Sequence, residues 1–324
     1  MSNRGLTQKT RTETEMVLER AMVTRHYLMH WDLERCVGCQ VGALVCPKDA
    51  ISHVDAVLEN GRMVQKQSVD IDPQKCILCG ECVEVCPVNA IDMTINGEAE
   101  IPVRKYEVFP EFMQSTVFDP AVFDWTKKDF VIENCPTTVI SEDKQAKTLL
   151  VDDEHCIRCR QCEVASDGAF HVQQPWQGSV ELKKEYCREG CLACADICPT
   201  RALHLNERDE LVLADYYCIK CGACVQICPV EAQYEEYEVS VESQGVTKVV
   251  KHQRVTNAGQ LPIWVERWRV RHEPLKSGAW VQALLKLANE KEGMVEIDRK
   301  RALRRRDLIL ALKGGNQQVD AKKE

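Results

Sequence analysis

Nineteen cysteines, almost all set in Cys-x2-Cys-x2-Cys-x3-Cys-Pro runs or degraded copies of them, constrain this 324-residue chain more than any other feature. Two copies are intact: Cys76, Cys79, Cys82, Cys86-Pro87 and Cys218, Cys221, Cys224, Cys228-Pro229. A third, Cys187, Cys191, Cys194, Cys198-Pro199, carries one extra residue before Cys191. Three thiolates at this spacing wrap the corner of an iron–sulfur cubane, and the cysteine before proline serves the cluster of a partner motif. A zinc site asks for two Cys-x2-Cys knuckles flanking a long loop, and has no use for the third close cysteine or the proline. No secretory leader heads the sequence, so a reducing, cytoplasmic compartment is expected, where close cysteines signify metal or redox chemistry rather than disulfides.

The crossed-ligand rule can be tested on the degraded copies. The first motif reads Cys36, Cys39, Gly42, Cys46-Pro47, with glycine at its third ligand position. Paired with the next motif it yields one complete set, Cys46, Cys76, Cys79 and Cys82, and one altered set of three, Cys36, Cys39 and Cys86. Further on, Cys135-Pro136 ends a motif whose upstream ligand positions are Trp125, Lys128 and Val131, while Cys156, Cys159, Cys162 is followed by Ser166-Asp167 instead of Cys-Pro. Crossed ligation makes these defects one defect. Cys135 completes Cys156, Cys159 and Cys162, and the other four positions belong to a single abandoned cluster. The last pair is whole, giving Cys187, Cys191, Cys194 with Cys228 and Cys198 with Cys218, Cys221, Cys224. Four sets of four and one of three use every cysteine in the chain.

Four [4Fe-4S] clusters are therefore expected. For the altered site the residues leave open a fifth cluster, either [3Fe-4S] or [4Fe-4S] with a non-cysteine ligand such as Asp49, or an empty pocket of small buried thiols.

First-ligand positions fall at 125 (vacant), 156, 187 and 218, a period of 31 residues that marks stacked copies of one unit. Short β-rich runs precede the motifs (Val69-Asp70-Ile71, Leu149 to Asp152, Leu211 to Leu213) and apolar tails follow each Cys-Pro. The expected fold is α+β: three tandem two-cluster ferredoxin-like units at residues 32–100, 101–175 and 176–240, a helical N-terminal extension over 1–31, and a basic helical docking tail over 241–324. Each unit holds so little apolar material that ligation itself must supply much of its folding free energy.

Charge divides the chain at the same boundary. Residues 241–324 carry 18 Lys and Arg against 10 Asp and Glu, a balance of +8, so the remainder stands at −16. An acidic body of this kind does not recommend nucleic acid as a partner, and no apolar stretch reaches the length of a membrane span. In the tail, residues 279–293 and 295–314 have helical periodicity, with Trp280, Leu284 and Leu287 on one face. That face either packs on the body or docks to a partner.

The segments Ile95-Asn96-Gly97-Glu98, Tyr106-Glu107-Val108-Phe109-Pro110 and Gln174-Pro175-Trp176-Gln177-Gly178-Ser179-Val180-Glu181-Leu182, with the cysteine motifs around them, resemble the polyferredoxin F subunit of formylmethanofuran dehydrogenase over about residues 33–240. That resemblance implies a relay of low-potential electrons to a site on other subunits where carbon dioxide is reduced to formate. The family's longer members have four two-cluster units, and this chain departs from them in unit number, in its vacant and altered sites and in its tail.

No Ser-His-Asp or Cys-His arrangement and no phosphate-binding glycine loop is present, so no catalytic residues are expected. The expected role is a non-catalytic subunit whose partners are catalytic and other redox subunits. Three alternatives differ in class: a freely diffusing polyferredoxin, the wiring of a hydrogenase or heterodisulfide-reductase-type complex, and an enzyme using an open iron at the altered site.

Overall fold

In the computed structural model the described residues are 5–231, 233–243 and 246–272. The chain begins with three antiparallel strands, β1 (Gln8–Arg11), β2 (Glu15–Ala21) and β3 (His26–Asp32). The expected N-terminal helix is therefore corrected to β structure. Glu, Leu, Arg, Ala and Met across this stretch are good helix formers, but the buried positions alternate: Met16 and Leu18 on β2, Met29 and Trp31 on β3. Period-two burial fits a strand with one face on a core, and β propensity yields to such packing. Each of these side chains contributes about 1.5–3 kcal/mol by burial.

After Cys36 and Cys39 come α1 (Val41–Val45), β4 (Ile51–Val54), β5 (Val57–Glu59), β6 (Arg62–Gln65) and β7 (Ser68–Ile71). The second motif leads into α2 (Glu81–Glu84), then β8 (Ile91–Ile95), β9 (Glu98–Ala99) and α3 (Pro102–Lys105). Strand β4 pairs with β7, and β3 with β8, which completes a five-stranded sheet of order β1-β2-β3-β8-β9. The strand before the first motif thus closes on the strand after the second.

The middle of the chain repeats this scheme. Its elements are β10 (Ser115–Phe118), α4 (Lys128–Asn134), β11 (Ile140–Asp143), β12 (Thr148–Val151), α5 (Gln161–Ala165) and β13 (Phe170–Gln173), with β11 pairing β12 inside and β10 pairing β13 outside.

The last region opens with β14 (Trp176–Leu182) and continues through α6 (Ala193–Asp196), β15 (Leu203–Leu205), β16 (Leu211–Leu213) and α7 (Ala223–Gln226). A hairpin of β17 (Tyr234–Ser243) and β18 (Val246–Val255) follows. Only then does β19 (Ile263–Val270) return to pair with β14, in the place that β8 and β13 hold in the earlier regions. The helical reading of the tail is thus corrected at residues 241–243, 246–255 and 263–270, which are β. Ile263, Trp264, Val265 and Val270 are buried there, so the first part of the basic segment belongs to the body. The helices expected at 279–293 and 295–314 lie outside the described residues.

The pairing of β14 with β19 explains Gly178. It stands at a register shift, and a Cβ there would come within 1.9 Å of the Glu266 carbonyl oxygen. Only glycine permits the backbones to approach so closely.

One apolar core spans regions far apart in sequence. Met16, Trp31, Ile71 and Leu78 from the first region share it with Ile157 from the middle and with Ile197, Ile219 and Ile227 from the last. Polar contacts reinforce the junctions: the fully buried Gln67 donates from Nε2 to the Val37 carbonyl at 2.7 Å and to the Ala223 carbonyl at 3.1 Å, and Arg62 pairs with Asp196. The Asn89 amide donates to the Cys156 carbonyl at 3.0 Å, and Gln161 to that of Thr200 at 2.5 Å.

Candidate metal centres

Each Cys-x2-Cys loop is bent by left-handed residues on both sides of its second cysteine. Gly38 and Gln40 (φ 60° and 59°), Leu78 and Gly80 (55° and 88°), Arg158 and Arg160 (57° and 67°), Lys220 and Gly222 (59° and 85°) occupy these places. A leucine or arginine in this region costs free energy, so the surrounding structure must impose it. Such a bend turns successive backbone N–H groups inward to form an anion-binding nest. The Lys220 amide lies 3.4 Å from the Cys218 sulfur, and the amides of Gly38, Leu78, Glu81, Gln161 and Ala223 play the same part toward Cys36, Cys76, Cys79, Cys159 and Cys221. The cysteines before proline are served from the other side. Ala50 donates to Cys46 at 3.3 Å and Ala90 to Cys86 at 3.2 Å.

The thiols gather across motifs. Cys46, Cys76, Cys79 and Cys82 line one pocket. Cys135, Cys156, Cys159 and Cys162 line a second, and Cys198, Cys218, Cys221 and Cys224 a third. Cys194 lies in electrostatic reach of Cys187, Cys191 and Cys228, and Cys39 of Cys86 and Cys36. These are the groupings that the crossed-ligand rule selects.

Among the described residues no group of His, Cys, Asp and Glu is suited to a single metal ion. Zn–S bonds of about 2.3 Å would draw four sulfurs to within about 3.8 Å of one another. A cubane holds its four thiolates round a larger body.

Burial governs the thiols. It pushes Cys39, Cys86, Cys159 and Cys194 up to about 12 and Cys79 up to about 11, with neighbouring thiolates adding to the shift. Bare thiols here stay protonated, and only a strong cationic centre offsets the cost of ionising four together, so loading with iron must release protons.

Of the four positions without cysteine, Val131 lies in an apolar cluster with Phe123 and Phe170, and Trp125 stands at its rim. Val131 and Phe170 are fully buried, and Phe118 meets Phe123 at 5.1 Å, Trp125 at 6.3 Å and Phe170 at 4.7 Å between ring centroids. Lys128 turns to Glu142 at 2.9 Å. Buried Ser166 accepts a hydrogen bond from the Phe170 amide at 3.0 Å, in the i+4 pattern by which Ala50 and Ala90 serve Cys46 and Cys86. Its hydroxyl keeps the backbone bond of the missing thiolate without the metal.

At the altered site, Gly42 fills the third ligand position. A Cβ there would lie 3.2 Å from the Cys82 Cβ and 3.6 Å from the Ile51 side chain, so the corner is closed by packing. Asp49, weighed as an oxygen ligand, is exposed on the turn after Cys46.

The groupings adjoin one another. Cys82 has Cys86 among its neighbours, Cys221 has Cys39, and Cys224 has Cys194. Electrostatic reach thus links the Cys76 motif, the altered site and the two sets of the last region. Sequence reasoning missed one residue at the middle junction: Arg267 of β19, buried against Cys39 and Cys221. Its signal was an arginine amid Ile263-Trp264-Val265, on a strand hidden within a basic segment.

Residues 35–90 and 186–232 match the 4Fe-4S dicluster domain family. The chain carries ferredoxin-like 4Fe-4S dicluster domains. The two matched stretches hold the first and last motif pairs, while the middle pair, with its abandoned site, lies outside them. NADH-quinone oxidoreductase subunit I of Protochlamydia amoebophila (strain UWE25) is 43% identical over 53 residues, which are 16% of this chain and 34% of that protein. The chain thus spans about a third of the length of that curated relative. A solved chain of the formate dehydrogenase–heterodisulfide reductase–formylmethanofuran dehydrogenase complex from Methanospirillum hungatei matches with a TM-score of 0.68 and 21% identity. That match covers 92% of this chain and 97% of the other, a likeness of fold.

Proposed function

We propose that this chain is an iron–sulfur relay subunit that passes low-potential electrons one at a time between redox subunits of a multisubunit oxidoreductase. Four [4Fe-4S] clusters are held by Cys46, Cys76, Cys79 and Cys82; by Cys135, Cys156, Cys159 and Cys162; by Cys187, Cys191, Cys194 and Cys228; and by Cys198, Cys218, Cys221 and Cys224. A fifth cluster belongs to Cys36, Cys39 and Cys86. The clusters supply reversible one-electron chemistry at potentials set by charge, hydrogen bonds to sulfur and exposure. The chain's residues hold the thiolates, aim amides at them and exclude water.

The observation that carries this reading is the gathering of thiols from different motifs into shared pockets, with Cys82 in electrostatic reach of Cys86, Cys221 of Cys39 and Cys224 of Cys194. An empty altered site would leave a gap between the Cys46 set and the Cys198 set. This is the reason for assigning a cluster to three cysteines, and its closed Gly42 corner favours [3Fe-4S].

The partner reading rests on the resemblance of the linkers and on the full-length likeness to a chain of the Methanospirillum hungatei complex. A formylmethanofuran dehydrogenase-type complex, reducing carbon dioxide to the formyl level on another subunit, is the context that fits best. Among the described residues no helix is long and apolar enough to cross a membrane.

Stepwise dithionite reduction of the anaerobically purified chain, followed by electron paramagnetic resonance, tests the relay. Signals of several interacting reduced clusters are expected, with one oxidised-state signal abolished by Cys36→Ser. A chain without iron–sulfur signals would refute it. Affinity capture from the native source tests the partner, with a redox subunit expected in stoichiometric yield.

A further inference from the structure

Two threonine hydroxyls stand against sulfurs of the middle set. Thr116 Oγ1, on β10, lies 3.4 Å from Cys156 Sγ, and Thr137 Oγ1, two residues after Cys135, lies 3.7 Å from Cys135 Sγ. Both threonines line the pocket that Cys135, Cys156, Cys159 and Cys162 share. The other pockets differ. The Cys198 set has one such contact, from Thr200 at 3.6 Å, and among the described residues no hydroxyl side chain lines the pocket of the Cys46 set. Where Thr137 and Thr200 follow their cysteines by two residues, Lys48 follows Cys46.

A sulfur that ligates iron is a thiolate without a proton, so in each contact the hydroxyl donates. Thr200 illustrates the geometry: its oxygen accepts from the Ala202 amide at 3.4 Å, which leaves its proton for Cys198. Hydrogen bonds strengthen as the acceptor gains negative charge, so a donor aimed at sulfur favours the reduced cluster over the oxidised one and raises its potential. Arg158, on the loop between Cys156 and Cys159, is paired with Asp153 at 2.9 Å, so its charge is offset.

The middle set also borders both other regions. Asn89, three residues after Cys86, reaches the Cys156 carbonyl, and Gln161, two residues after Cys159, reaches that of Thr200.

We infer that Thr116 and Thr137 are tuning residues that raise the reduction potential of the Cys135/Cys156/Cys159/Cys162 site above that of the Cys46/Cys76/Cys79/Cys82 site, so that the middle region stores an electron beside the relay. The inference rests on the cluster assignments above. One electron passes to this site from a reduced neighbouring site, which is oxidised by that same electron. No bond is made, and each hydroxyl keeps its proton.

The test is a redox titration of the full chain, reconstituted anaerobically and followed by electron paramagnetic resonance, with signals assigned through Cys135→Ser and Cys46→Ser. In the parent chain the Cys135 site should be reduced at the higher potential of the two. Thr116→Val keeps the shape of the side chain, suits a strand and removes the O–H. At a fixed potential the reduced-to-oxidised ratio of the Cys135 site should then drop about tenfold, equivalent to about 59 mV for a one-electron couple. Thr137→Val, with the longer contact, should lower the same midpoint by less. The Cys46 site should not move in either variant, and Thr116→Ser, which restores the hydroxyl, should return the midpoint toward the parent value.

Thr137→Val decides the matter if Thr116→Val does not hold iron. Valine already follows Cys86 and Cys228 by two residues, as Val88 and Val230, so the turn accepts it. A Cys135-site midpoint unmoved in a fully loaded valine variant, an equal shift at the Cys46 site, or a parent midpoint at or below that of the Cys46 site would overturn the inference. Absence of iron–sulfur signals from the parent chain would instead overturn the cluster assignments.

Discussion

Ser166 shows how one side chain can separate a fold from its cofactor. Its hydroxyl reproduces the hydrogen bond that the pre-proline thiols accept from the i+4 amide, while Phe118, Phe123, Trp125 and Phe170 fill the space beside it. Ser166→Ala should leave iron and sulfide content unchanged. It should lower stability by about 1–3 kcal/mol, read as a reduced thermal midpoint, because the fully buried Phe170 amide loses its acceptor. Cys135→Ala should do the reverse. Although Cys135 lies outside the Cys156 motif, its loss should remove one cluster, about four irons, from each chain. At this scale the sequence speaks through spacing, since metal ligation restricts residue type and position so tightly that four missing ligands can be read as one lost site. The φ values of Leu78, Arg158 and Lys220 were not legible, because nothing in those residue types favours a left-handed backbone and the nest alone imposes it.

Among the elements, β19 matters most. The strands next to the cysteines could be read from their β-branched and apolar runs, and β7, β12 and β16 lie where those runs predicted. Helix-forming composition misled at β2 and β3, where an available sheet edge outweighed propensity. The closing strand of the last region was hidden by the β17–β18 hairpin, inserted ahead of it, and by the basic character of the surrounding segment. Truncation separates strand from tail. A chain ending at residue 272 should keep its full iron content, whereas one ending at residue 260 exposes the inner faces of β14 and α7 and should lose iron from the two sites of the last region. Gly178→Ala should have a milder effect of the same kind, forcing β14 away from β19. Equal iron in both truncations would show that β19 is dispensable to the clusters.

At the scale of the molecule, the order of sites in space differs from the order of motifs in sequence. The first region abuts the last directly, through Gln67 to Ala223 and through Arg62 to Asp196, while the middle region joins from the side through Asn89 and Gln161. A repeat of 31 residues reveals copies but not how they stack, since the deciding contacts lie on side chains outside the motifs. The altered site, the weakest by ligand count, consequently lies between the Cys46 and Cys198 sets, with Cys86 in electrostatic reach of Cys82 and Cys39 of Cys221. The number of clusters in the chain separates crossed pairing from its alternatives. Iron and acid-labile sulfide per chain after anaerobic reconstitution measure this most directly. Four cubanes and a filled altered site predict about nineteen or twenty irons with matching sulfide. About eight irons or fewer would contradict the crossed pairing, and with it the path from Cys82 to Cys194.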